Sequence, residues 1–116
     1  MPTILITGAN RGIGKALARS YVASGWRVLA ACRSGQPDIE GADGLRLDVA
    51  DRQSIAALKQ ELGGMPIDIL WNNAGVYLDK GAGLGDFTDE AWLQSFAVNT
   101  IAPLRLADAL RENVFA

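Results

Sequence analysis

The run Thr3-Ile4-Leu5-Ile6-Thr7-Gly8-Ala9-Asn10-Arg11-Gly12-Ile13-Gly14 constrains this chain more than any other stretch. Ile4 to Ile6 make a short apolar strand that runs into a glycine-bearing turn. The turn opens at once into helical spacing, with Ile13, Leu17 and Tyr21 on one face and Ala16 and Ser20 beside them. Strand, glycine turn, helix is a setting in which a loop can hold phosphate. A helix N-terminus offers unpaired N–H groups and a partial positive charge, and glycine lets an anion approach the backbone. Gly8 can supply the tight turn, Gly12 the close approach and Gly14 the room for the helix to pack on the strand. A Walker A loop is excluded, because five residues separate Gly8 from Gly14 and Ala16 follows Lys15. The spacing Gly8-x-x-x-Gly12-x-Gly14 also differs from Gly-x-Gly-x-x-Gly; nucleotide binding is the favoured account of this stretch, and a βα turn with no ligand is its alternative.

The rest of the composition narrows the chemistry by exclusion. The chain has 116 residues, enough for one domain with a core but short for a doubly wound enzyme. A net charge of −2 argues against a general binder of nucleic acid or membrane surfaces. No apolar run is long enough to span a membrane. The strand pattern begins at Thr3, which leaves no room for a cleavable signal, so a cytoplasmic protein is expected. Cys32 is the only cysteine, so no disulfide framework and no cysteine-based metal site is expected. Histidine is absent, which removes Ser-His-Asp and Cys-His catalysis together with the usual zinc constellations.

Further along, Ser24-Gly25 stops the first helix, since glycine tolerates a left-handed cap. Arg27 to Ala31 reads as a second buried strand, leaving through Cys32-Arg33-Ser34-Gly35, and Gln36 to Asp43 as a loop. Leu45 to Val49 reads as a third strand. Asp51 can cap a helix whose face is Ile55, Leu58 and Leu62 and whose end is Gly63-Gly64. Ile67 to Trp71 reads as a fourth strand and Asn72 to Asp86 as a long loop. Thr88 can cap a final helix from Asp89 to about Asn113, with Trp92, Phe96, Leu104, Ala107 and Leu110 as its apolar residues.

Alternating strands and helices imply an α/β fold, a doubly wound parallel sheet with right-handed crossovers and strand order 3-2-1-4. Ligands in such sheets bind beyond the strand C-termini, at the switch point between the first and fourth strands. Gly8 to Gly14, Arg33, Asp48 and Asn72 to Gly75 all fall at those ends.

Thr7-Gly8-x-x-x-Gly12-Ile13-Gly14, Asp48-Val49, Asn72-Asn73-Ala74-Gly75 and Asn99 together resemble the short-chain dehydrogenase/reductase family in identity, order and spacing. The resemblance runs along the whole chain and covers the N-terminal half of a typical member. It implies a Rossmann-type fold over residues 1–116 that moves hydride between NAD(P) and a carbonyl or alcohol. It further implies that Gly8, Asn10, Arg11, Gly12, Ile13 and Gly14 cradle the pyrophosphate, with Asp48 and Val49 at the adenine. By the same resemblance Asn73, Ala74 and Gly75 stabilise the sheet and line the cofactor, and Asn99 belongs to the catalytic set. Members are commonly dimers or tetramers, which implies a homo-oligomer.

Each position also has its own physical reading. Asp48 could accept from an adenine amine, a carboxylate being acceptor-only, or could cap the helix near Asp51. Asn73 could bridge strands through its amide or simply form a turn. Trp71 and Trp92 read as packing residues. An NAD enzyme wants an acid at the end of the second strand to bond the ribose hydroxyls. Here Cys32-Arg33-Ser34 stand in that place, with no acid before Asp38 and Arg11 as a second guanidinium. Two arginines without a carboxylate favour a 2′-phosphate, hence NADP(H) over NAD(H), although two solvated surface arginines would look the same. Pro103 has no N–H to give the carbonyl of Asn99, so the last helix should kink there, and a freed carbonyl could hold a water.

The family's Tyr-x-x-x-Lys pair is not found: Tyr21 is followed four on by Gly25 and Tyr77 by Gly81. In the family that lysine tunes the tyrosine for proton transfer. The expectation is therefore a cofactor-binding front half of an NADPH-dependent reductase, its sheet stopping before the later strands and the isolated chain inactive. A stand-alone non-catalytic dinucleotide-binding module and an interaction domain are the alternatives. No nucleic-acid, membrane or metal partner is expected.

Overall fold

The computed structural model describes residues 1–74 and 88–114. Gly75, expected at the cofactor, lies outside the described residues, as does most of the loop read between Asn72 and Asp86. Four parallel strands, β1 (Thr3–Thr7), β2 (Arg27–Cys32), β3 (Asp43–Arg46) and β4 (Ile69–Trp71), form one sheet in the order β3-β2-β1-β4. Helices α1 (Gly12–Ala23) and α2 (Arg52–Leu62) connect them, and α3 (Asp89–Phe96), α4 (Ala102–Ala109) and α5 (Arg111–Val114) follow. The doubly wound order expected from strand and helix alternation is the order found.

The alternation of side chains along β1 explains why both faces of the sheet are covered. Leu5 points to a cluster containing Leu29, Leu45, Leu47, Ile55, Leu58, Leu62, Ile67, Leu106 and Leu110, supplied by α2 and α4. Ile4 and Ile6 point the other way, to Ala18, Val28, Ala30 and Ile39, with Leu17, Tyr21 and Val22 of α1 packed against them. Tyr21 meets Trp26 edge-on at 4.9 Å, closing the turn after α1.

Several elements differ from the sequence reading. Strand β3 begins at Asp43 and ends at Arg46, two residues earlier than expected at its start, because Asp43 pairs with Leu29 and Arg46 with Cys32. Leu47 still extends the join, giving its N–H to Cys32 O at 2.8 Å. Strand β4 covers only Ile69–Trp71, since Ile67 gives its N–H to Asn113 O instead of to the sheet. Ile13 is 77% exposed, so the α1 face that packs is led by Gly14 and Ala18.

The single final helix is in fact three, with a π-helical turn at Ala97–Ile101 between α3 and α4. Ala102 gives its N–H to Ala97 O, five residues back. Pro103 follows at once, unable to donate to Asn99 and crowding its carbonyl, and the helix absorbs that by widening a turn. The shift rotates the buried stripe onto Val98, Ala102, Leu106 and Leu110, leaving Trp92, Phe96, Leu104 and Ala107 exposed.

Candidate functional site

The turn after β1 is built from glycines that do different work. Gly8 and Gly12 hold φ of +63° and +57°, the left-handed region where a side chain is strained. A methyl on Gly8 would stand 2.9 Å from Ala74 Cα, so the backbone beyond β4 presses against this turn. A methyl on Gly14 would run into the Asn73 amide and lie 2.5 Å from Gly8 O. Gly14 is thus the point where α1 packs on the sheet. A methyl on Gly12 would meet no atom within 4 Å, so the space beside its backbone is open.

Thr7 and Asn73 lock this arrangement. The Thr7 hydroxyl oxygen accepts the N–H groups of both Asn73 and Ala74 at 2.9 Å. The Asn73 side-chain amide donates to Gly8 O at 3.3 Å, so it does bridge the first and fourth strands. Ala9 N–H reaches Ala31 O at 3.1 Å and ties the turn to the end of β2.

These contacts frame a cleft of about 500 Å³ above the C-terminal ends of the strands. Gly8, Asn10, Arg11, Gly12 and Ile13 form one wall, with Cys32 and Arg33 at the end of β2. Leu47, Asp48, Val49 and Ala50 form a second wall, Asn73 and Ala74 a third, and Gln94 and Val98 approach from α3 and the π turn. Of the described residues expected at a cofactor, all but Gly14 line this one cleft, and Gly14 lies directly beneath it against Asn73. Asn99, expected in the catalytic set, is exposed and does not line it, although Val98 beside it does.

The walls differ in charge. Arg11 occupies the N-cap position of α1 in extended conformation and its side chain makes no cap hydrogen bond. No acidic residue lies in the first turn, so nothing on the helix itself neutralises its positive end. Arg33 lies across from it, and among the described residues the one ion pair is Arg27 with Asp43, which leaves both cleft arginines out. The opposite wall carries Asp48. That residue does not cap α2: Asp51 does so, accepting from Gln53 N at 2.9 Å. Asp48 instead closes its own turn, Oδ1 accepting from Ala50 N at 3.1 Å and its carbonyl accepting from Asp51 N at 3.0 Å.

Several residues at the site were not among those the sequence assigned to the cofactor, Leu47 and Ala50 in the cleft wall included. Thr7 and Ser54 are buried hydroxyls, and a polar residue fated for burial must find a partner, which is the signal they carried. Gln94 and Val98 line the cleft from α3 and the π turn, which no local pattern announces.

Residues 2–114 match the family model described as short chain dehydrogenase. The chain is 35% identical over 121 residues to L-xylulose reductase of Bos taurus, covering 97% of itself and 47% of that protein. It is 37% identical over 117 residues to 3-oxoacyl-[acyl-carrier-protein] reductase of Salmonella typhimurium, covering 91% of itself and 46% of that protein. Its fold is similar to a short-chain dehydrogenase/reductase of Burkholderia multivorans solved with bound NADP, with a TM-score of 0.84 and 27% identity, over 97% of this chain and 54% of that one. The chain therefore spans about half the length of the relatives it matches. A parallel sheet with this strand order, a glycine turn roofing its switch point and a match running nearly end to end agree: the chain belongs to the short chain dehydrogenase family.

Proposed function

We propose that residues 1–116 form the dinucleotide-binding domain of an NADP-dependent short-chain oxidoreductase acting on a small carbonyl or alcohol. The observation that carries this reading is one cleft joining the uncapped N-terminus of α1, the open backbone at Gly12, two arginines and, opposite them, Asp48. These residues fit a dinucleotide. Gly12 leaves room for a diphosphate, the first-turn N–H groups of α1 donate to it, and Asn10 and Ile13 flank it. Arg11 and Arg33 suit a 2′-phosphate, which a planar guanidinium can meet with paired hydrogen bonds. Asp48 offers an acceptor to the adenine amine and Val49 an apolar edge to the ring. Asn73, Ala74 and, by resemblance, Gly75 carry the wall toward the nicotinamide end, where we place Asn99 in the proton-handling set.

When bound, the nicotinamide ring supplies or receives the hydride. The chain's own residues hold the dinucleotide by its phosphates and its base and aim its far end toward Gln94 and Val98. The reductase names of the two relatives support a carbonyl substrate, and the NADP held by the Burkholderia protein supports the phosphate reading. Exposed Leu93, Phe96, Ile101 and Leu104 support a homo-oligomer. A single buried free cysteine suits the reducing cytoplasm, and no helix among the described residues is long and apolar enough to cross a membrane.

Titration with NADPH, followed by nicotinamide fluorescence, tests the reading. Saturable binding, tighter for NADPH than for NADH, is expected. A folded chain that binds neither overturns it. No Tyr-x-x-x-Lys spacing occurs in these residues, so the chain by itself is expected to bind without reducing a carbonyl.

A further inference from the structure

Ser54 has no part in the reading above, yet it is the deepest polar group behind the acidic wall. It is 4% exposed and sits two residues after the first residue of α2. Its hydroxyl oxygen accepts the backbone N–H of Asp48 at 2.8 Å. A polar side chain at this helix position ordinarily turns back to the N-cap residue itself. Here the N-cap is Asp51, and Ser54 reaches past it to Asp48, three residues further upstream.

Asp48 is consequently held on three sides. Ser54 fixes its N–H, Asp51 N fixes its carbonyl, and Ala50 N fixes one carboxylate oxygen. The second oxygen, Oδ2, has no hydrogen-bond partner among the described residues, and Asp48 lines the cleft. The backbone behind this wall residue is thus tied to a helix, while one carboxylate oxygen stays without a partner among the described residues.

We infer that Ser54 is a positioning residue that orients Asp48 to discriminate the base of the cofactor, selecting a purine with an exocyclic amine over one without it. The inference rests on the proposed cofactor reading. An amine donates to Oδ2, whereas a purine without that amine leaves the carboxylate oxygen without a donor in a partly buried site. Without the Ser54 hydroxyl the Asp48 N–H loses its partner, the turn from Asp48 to Asp51 loosens, and the carboxylate no longer holds one direction.

The test compares NADPH with reduced nicotinamide purine dinucleotide phosphate, whose base lacks the adenine amine and gains no donor in its place. The wild-type chain is expected to bind NADPH roughly tenfold more tightly than the purine analogue. Ser54→Ala is expected to weaken NADPH while leaving the analogue nearly unchanged, so the preference collapses, and Ser54→Thr is expected to restore it. Circular dichroism checks folding, and Ser54→Cys, of similar volume but a weak acceptor, is read in place of Ser54→Ala if the latter unfolds.

Equal weakening of both dinucleotides would mark Ser54 as merely structural and overturn the inference. So would an undiminished preference in the Ser54→Ala and Ser54→Cys chains. A wild type that binds NADPH without preferring it overturns the role of Ser54 and Asp48 but leaves the cofactor reading standing. A wild type that binds neither dinucleotide overturns both.

Discussion

Thr7 Oγ1 and Asn73 N lie 2.9 Å apart although 66 residues separate them along the chain. The same oxygen also takes the N–H of Ala74, so one buried hydroxyl closes the seam between the glycine turn and the segment after β4. Around that seam the walls of the cleft are assembled, and most of what can be tested about the site follows from it.

Replacing Thr7 by valine keeps the shape of the side chain and removes its acceptor. Two backbone N–H groups then lose their partner, and stability should fall by about 1–3 kcal/mol. Thr7→Ser should retain most of it. Urea denaturation monitored by tryptophan fluorescence gives the difference, and a Thr7→Val chain as stable as the wild type would show that water replaces the hydroxyl.

Gly12 and Gly14 should separate binding from folding. Gly14→Ala drives a methyl into the Asn73 amide and the Gly8 carbonyl, so it should destabilise the fold by about 1–3 kcal/mol through overpacking. Gly12→Ala meets open space and should cost only the left-handed backbone strain, about 1–2 kcal/mol. It should nonetheless weaken NADPH binding disproportionately, because its methyl enters the volume assigned to the diphosphate. Paired melting curves and NADPH titrations decide the matter.

Arg33 should govern which dinucleotide is taken. Arg33→Ala is expected to weaken NADPH by about tenfold, the worth of one charge-assisted contact, and to leave NADH almost unaffected. Raising the salt concentration should erode the wild-type preference in the same direction, since the contact is solvent-accessible. Dissociation constants for both dinucleotides that rise together would assign Arg33 a general electrostatic role only.

Asn113 makes a prediction far from the cleft. It is 3% exposed, its side-chain amide donates to Gly63 O and Met65 O at 2.9 Å each, and its backbone carbonyl takes the Ile67 N–H at 3.0 Å. It thus fastens the α2–β4 connection to the last helix. Asn113→Ala should cost about 2–3 kcal/mol, and Asn113→Asp more, because a carboxylate would face two carbonyl oxygens. Thermal denaturation should rank the variants wild type, then alanine, then aspartate.

The sequence by itself determined the architecture. Apolar runs of strand length alternating with helical spacing admit only covered parallel strands, and the glycines, Arg33 and Asp48 had to fall at the strand ends because the connections begin there. Local chemistry likewise identified Asp51 and Thr88 as helix caps, each accepting an N–H within its own first turn. Only the tertiary structure decided what was long-range. That Asp51 and not Asp48 caps α2, and that the Asn73 amide reaches the Gly8 carbonyl just past the neighbouring strand, was settled there. The apolar periodicity of the last helix pointed to Leu104 and Ala107, but the widened turn before Pro103 rotated burial onto Ala102 and Leu106. Periodicity and propensity act over a few residues, whereas a hydrogen bond or a packed face is settled by which distant backbone arrives beside it.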